Sequence, residues 1–184
     1  VNPFVGTSGF GNIYPGSQIP FGGIQISPDT DNDYYDAASG YKYNHMTIMG
    51  FSLTHLSGTG IPDLGDFLFI PGTGEKKFIA GTHDNPDVGY RSRYSHDREW
   101  ASPNYYGVEL LDYDVKEEMT SATRSGIFKF TFPQSDEAFV MVDMNHVQWF
   151  KTAWSQLRIE NDSVISGFKL VNGWVCSTRC AGIY

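Results

Sequence analysis

Residues 105–133 read YYGVELLDYDVKEEMTSATRSGIFKFTFP, and this stretch decides the fold class. Residues two apart share one face of a strand. Val115, Glu117, Met119 and Ser121 therefore line one side of a run from Val115 to Arg124. Phe128, Phe130 and Phe132 do the same in a run from Ile127 to Phe132, with Ser125-Gly126 as the turn between. Tyr106 to Asp112 makes a third run. Short alternating segments broken by turn residues are strands, not helices.

The pattern continues toward the C-terminus. Ala138 to Asp143, Leu157 to Glu160 and Val164 to Val171 are further strands. The turn signals between and after them are Pro133-Gln134-Ser135-Asp136, Asn161-Asp162 and Asn172-Gly173, the last a two-residue hairpin signal. Toward the N-terminus the text changes. Residues 1–30 are punctuated by Gly and Pro, with one short strand from Phe21 to Ser27 ended by Pro28-Asp29. Residues 31–65 read as long polar, aromatic and glycine-rich loops, in which His45 to Phe51 has room for a single helical turn. Asp66 to Ile70 is a buried strand closed by Pro71-Gly72. Strands at this spacing with no helix-rich half predict an all-β, antiparallel β-sandwich forming one domain over residues 1–184.

Composition agrees and excludes some functions. Aromatic residues make up 15% of the chain and glycines number 20, which favours strands and turns. The same aromatics are the stacking platforms on which proteins hold sugar rings. A formal net charge of −8 argues against nucleic acid and anionic membranes, which need basic patches. No apolar run of about 18 residues is present, so no membrane-spanning helix is expected. The opening Val1-Asn2-Pro3-Phe4 reads as a mature or trimmed start. The apolar end Ala181-Gly182-Ile183-Tyr184 reads as a cut inside a strand, before the last strands of the domain. Cys176 and Cys180 read as free thiols, four residues apart; on one extended strand they stand too far apart to bond, while a turn between them would permit a disulfide.

Three segments could carry chemistry. Gly50 to Asp66 (GFSLTHLSGTGIPDLGD) combines glycines, which let a backbone approach a ligand, with the donors and acceptors of His55, Ser57, Thr59 and Asp63. That suits a polyhydroxylated ligand; it also suits a structural loop whose hydroxyls cap its own turns. Asp29 to Tyr43 carries alternating Asp and Asn but misses the Gly and Glu positions of a calcium-binding EF-hand loop. Its Tyr35 and Tyr41 read better as an aromatic wall for a sugar, against the alternative of core tyrosines among solvated charges. Tyr94 to Glu99, read as a strand, puts Asp97 and Glu99 at a spacing compatible with a hydrolytic carboxylate pair, a spacing shared by many surface acids. His45, His83 and His146 show no metal-ligand spacing. No Gly-x-Ser-x-Gly nucleophile elbow occurs.

Taken together the motifs resemble glycoside hydrolase family 92, the bacterial exo-acting α-mannosidases. The matching stretches are VNPFVGTSGFGNIYPGSQIPFG (1–22), QISPDT (25–30), SGYKY (39–43), GFSLTHLSGTG (50–60), DLGDFLFIPGTG (63–74) and residues 90–133. They stand in the family's order and cover most of the chain. The resemblance implies an N-terminal β-sandwich of the galactose-mutarotase-like supersandwich type, packed on a C-terminal (α/α)6 barrel with the active site between them. It implies a calcium-dependent, inverting exo-α-mannosidase acting on mannose-containing glycans outside the cytoplasm, periplasmic or at the cell surface. Catalytic acid, base and most calcium ligands come from the barrel, so no catalytic residue and no metal ligand is expected in residues 1–184. The sandwich supplies loops to the sugar pocket. Tyr35, Ser39, Gly40, Tyr41, His55, Ser57, Gly58 and Thr59 are the expected substrate contacts. Tyr35 stands where relatives usually carry a Trp, and Phe10 and Asn12 where they often carry His. The alternatives are a stand-alone carbohydrate-binding module and a purely structural sandwich bracing a barrel. A large exposed apolar surface distinguishes a domain that docks on a partner.

Overall fold

Along residues 115–121 the alternation becomes burial: Val115, Glu117, Met119 and Ser121 are buried and the residues between them are half-buried. The computed structural model describes residues 1–32 and 37–174, together with the backbone of 179–183. Fourteen strands are described: β1 Ser17–Gln18, β2 Gln25–Asp29, β3 Thr47–Ile48, β4 Gly50–Ser52, β5 Leu68–Thr73, β6 Ser92–Arg93, β7 Glu99–Ser102, β8 Tyr105–Leu110, β9 Val115–Ser121, β10 Gly126–Thr131, β11 Ala138–Asp143, β12 Thr152–Asn161, β13 Val164–Val171 and β14 Arg179–Ile183. Among the described residues there is no α-helix; 3-10 turns occur at Pro86–Val88 and His96–Arg98.

Two sheets face each other. One has the order β1-β2-β4-β5-β11 and the other β10-β9-β8-β7, all antiparallel. Ile26 and Phe51 from the first pack on Tyr106, Val108, Leu110, Val115 and Met119 from the second. Phe128 bridges the layers, its ring 5.1 Å from that of Phe69. Burying a side chain such as Phe51 contributes roughly 1.5–3 kcal/mol. The sandwich is therefore as the sequence pattern predicts. A third sheet, β12-β13-β14, stands on its own strands. Asn161 pairs with Val164 through a two-residue turn.

Several local expectations are corrected. Residues 45–51 form β3 and β4 instead of a helical turn, because Thr47-Ile48 pair with Arg93-Ser92 and Phe51 lies opposite both Pro28 and Phe69. Pro28 and Pro71 sit inside strands instead of ending them. A missing N–H is tolerated where the neighbouring strand has run out; β1 reaches only Gln25 and Ile26, and β4 meets β5 at Phe69. Asn172-Gly173 is not a two-residue hairpin, since Val171 pairs with Arg179. Cys176 and the side chain of Cys180 lie outside the described residues.

Candidate functional site

The inter-sheet core takes Ile26 from β2, so strand alternation turns Ser27 and Asp29 to the opposite, outer face of the first sheet. There Asp29 becomes the centre of a polar cluster. Its carboxylate is fully buried. Oδ1 lies 2.7 Å from His55 Nε2 and 3.3 Å from Gln148 Nε2, and Oδ2 lies 2.8 Å from His146 Nε2. Burial raises its pKa, but the His55 charge and the hydrogen bonds from His146 and His55 outweigh that and hold it well below the usual carboxylate range. His55 Nδ1 donates to the Gln25 carbonyl at 2.7 Å, and Ser52 Oγ lies 3.1 Å from Nε2. Removing one member of such a pair leaves a buried, unmatched charge, which costs about 3–5 kcal/mol.

Gly40 makes this cluster possible. Its φ is +82°, and a Cβ there would stand 2.0 Å from Asp29 Oδ1 and 3.0 Å from the His55 ring. Only a residue without a side chain can lie so close. Its carbonyl also accepts the Thr30 amide at 2.7 Å, which ties the SGYKY stretch to the end of β2.

His55 in turn braces the loop that follows β4. Thr54 Oγ1 donates to Asp66 Oδ2 at 2.8 Å and accepts the Asp66 amide at 3.1 Å, closing the loop at its base. The Gly58 amide donates to the Asn12 carbonyl at 2.6 Å. Between these anchors Ser57, Gly58 and Thr59 form an exposed tip. Ser57 borders a cleft of about 470 Å³ that Tyr14, Gln18 and Asn104 also line. That volume lies in the range of small-ligand pockets, about 300–1,000 Å³. The Tyr14 ring packs 5.1 Å from the His55 ring, so the cleft and the buried cluster share a wall.

The other sequence-predicted residues are distributed differently. Ser39 is buried, its hydroxyl donating to the Tyr41 carbonyl at 3.4 Å. Tyr41 is 1% exposed and donates to Glu99 at 2.9 Å. Burial, then the neighbouring Tyr94 and Glu99, push its phenol far above the ordinary range. Glu99 also takes the Tyr106 hydroxyl at 2.7 Å and faces His96 Nδ1 at 2.6 Å. The Tyr94 to Glu99 segment is not one strand: Asp97 sits exposed in the 3-10 turn that Ser95 caps, while Glu99 is buried in β7. They share no site, and the carboxylate-pair reading is dropped. Tyr35 lies outside the described residues.

Sequence reasoning missed His146 and Gln148. They reach Asp29 from 117 and 119 positions away, a distance at which no spacing rule operates. Local signals existed only for Asp29, Gly40 and His55, inside QISPDT, SGYKY and GFSLTHLSGTG. The sequence spacing of His45 and His83 shows no shared site, yet the fold brings both to Asp31.

Calcium takes six to eight oxygen ligands. Asp29 spends both carboxylate oxygens on imidazoles and an amide. Among the described residues the group of His, Cys, Asp or Glu side chains able to share an ion is Asp31, His45 and His83, two of whose three donors are nitrogens. These residues do not fit calcium.

Fold and site define the class: an antiparallel β-sandwich domain that presents a braced polar loop beside a cleft. Residues 1–183 match the model of the glycosyl hydrolase family 92 N-terminal domain. The chain belongs to that family. The family GH92 α-mannosidase BT3965 from Bacteroides thetaiotaomicron is 75% identical, with a TM-score of 0.93 over 95% of this chain and 24% of that one. That enzyme has also been solved in complex with mannoimidazole. The GH92 family glycosyl hydrolase CcMan5 is 29% identical, with a TM-score of 0.76 over 95% of this chain and 24% of that one. An uncharacterized secreted glycosidase from Arthroderma benhamiae is 26% identical over 80% of this chain and 20% of its own length. The chain thus spans about a quarter or less of the relatives it matches. No helix of the described residues is long and apolar enough to cross a membrane.

Proposed function

We propose that this domain is part of an inverting, calcium-dependent exo-α-mannosidase that removes terminal α-mannose from glycans outside the cytoplasm, and that its loops hold the sugar while a following (α/α)6 domain breaks the bond. The observation that carries the reading is the exposed Ser57-Gly58-Thr59 tip, on a loop whose base is fixed by Thr54–Asp66 and by His55 on the buried Asp29. A pre-fixed loop loses little entropy when its hydroxyls and amides engage a ligand. Ser57 and Thr59 supply hydroxyls, Gly58 supplies close backbone approach, and Tyr35 supplies a ring face. Gly40 and His55 brace the loop through the buried Asp29, while Ser39 and Tyr41 are buried and act as supports of the SGYKY stretch. The mannose assignment is supported by the likeness to the α-mannosidase of B. thetaiotaomicron.

In this division of labour the domain donates no acid or base. It orients the non-reacting hydroxyls, which places the scissile bond against groups on the partner domain. Calcium is assigned to that partner domain, a placement that the oxygen-poor donor set of the described residues here supports. Exposed Trp154, Ile159 and Trp174, between 51% and 76% accessible, support a docked partner over a self-contained sugar-binding module.

The test is the Ser57→Ala/Thr59→Ala double variant of the full-length enzyme, assayed on a chromogenic α-mannoside. Two lost hydroxyl hydrogen bonds, each about 0.5–1.5 kcal/mol, lower kcat/KM roughly 5–150-fold. Unchanged kcat/KM would remove the loop from the sugar site. Failure of the wild type to cleave any α-mannoside would remove the substrate assignment.

A further inference from the structure

Beside the Asp29 cluster, three side chains from separate segments converge: Asp31 after β2, His45 before β3, and His83 in the stretch before β6. One ligand atom from each lies within 4.8 Å of the other two. The imidazole rings are 4.0 Å apart at their centroids and tilted by 46°. Side chains of His83 and Asp31 are 29% and 18% exposed, so an ion can enter from solvent.

Each imidazole is held at one end by a threonine. Thr30 Oγ1 accepts the Lys42 amide at 2.9 Å and donates its proton toward the Gly40 carbonyl at 3.4 Å. Its second lone pair can take the Nδ1 proton of His45, 3.0 Å away, the tautomer that an ion bound at Nε2 requires. Thr47 Oγ1 sits 2.9 Å from His83 Nδ1, and His83 Nε2 is 3.1 Å from Asp31 Oδ2. A hydroxyl or carbonyl on the far nitrogen is the arrangement that orients metal-ligating histidines. Two imidazole nitrogens and one carboxylate oxygen, with further positions open to water, match borderline dications such as zinc, cobalt(II) and nickel, and not calcium or magnesium.

One feature weighs against tight binding. Arg91 Nη1 lies 3.2 and 3.4 Å from the two nitrogens of His83. Its two Nη1 protons are shared with the Thr30 carbonyl at 2.6 Å and Thr47 Oγ1 at 3.0 Å, so an ion on His83 displaces only the two longest of its four contacts. Its positive charge still opposes an added cation, which sets the expected affinity in the micromolar range.

We propose that Asp31, His45 and His83 form a binding site for a single transition-type dication on the sandwich domain. The experiment uses the full-length protein, treated with chelator and returned to buffer with excess Ca2+, so that oxygen-ligand sites are filled. Zn2+ is titrated by calorimetry and Co2+ by its visible absorption. The expected result is one equivalent of micromolar binding, weakened at least tenfold in His83→Gln and in Asp31→Asn and retained in Asp97→Asn. X-ray absorption of the zinc-loaded wild type should show two imidazole ligands, a readout that needs no variant to fold. Absence of that equivalent in the wild type, equal affinity in both ligand variants, or a zinc spectrum without imidazole scattering would each overturn the site.

Discussion

Replacing Gly40 by alanine tests whether the buried Asp29 cluster organises this face of the sandwich. The added methyl would stand 2.0 Å from Asp29 Oδ1 and 2.9 Å from Gln148 Nε2. Since the carboxylate cannot stay, it gives up its 2.7 Å contact with His55. Two costs add. The left-handed backbone at φ +82° costs a residue with a side chain about 1–2 kcal/mol. Displacing a buried charge from its partner costs about 3–5 kcal/mol. Their sum is about 4–7 kcal/mol, comparable to the whole stability of an ordinary domain, about 5–15 kcal/mol. Gly9→Ala is the control: its φ is +59°, but nothing lies within 4 Å of the added Cβ, so only the backbone cost applies. Urea unfolding followed by tryptophan fluorescence measures both. Gly40→Ala should lose at least about 3 kcal/mol more than Gly9→Ala. Equal losses would refute the claim that Gly40 is needed for its closeness to Asp29.

Two further stability predictions follow from buried charges. Glu117 is fully buried, with neither carboxylate oxygen hydrogen-bonded among the described residues; burial, then the Glu118 charge, push its pKa well above 4.5. It ionises in the unfolded chain while staying protonated in the fold, so the wild type loses stability as pH rises through 4.5 and beyond. Glu117→Gln removes that loss, and its stability advantage should widen as pH rises above 4.5; identical pH slopes for the two proteins in urea melts would contradict this. Lys169, fully buried on β13, lies 3.3 Å from Asp66 and donates to the His146 carbonyl. Lys169→Met should cost about 3–5 kcal/mol. A melting temperature within a degree or two of the wild type would show that the third sheet does not hold the His146 loop.

What the sequence determined by itself was everything with a local period. Alternation along Val115 to Ser121 and the phenylalanines of β10 fixed which faces are buried, and β11 and β13 have the bounds that the pattern gave. The motifs around Asp29, Gly40 and His55 were legible as family signatures. Strand ends were less so, because a proline inside a strand reads as a stop until the extent of the neighbouring strand is known. Tertiary structure alone decided the sites. His146 meets Asp29, and His83 meets Asp31, only because β2 lies second in its sheet and the chain returns to its outer face after β5 and β11. Alternation is a property of neighbours along the chain, whereas such a cluster is a property of which strands pair, and pairing across more than a hundred residues leaves no mark on the spacing of the residues it unites.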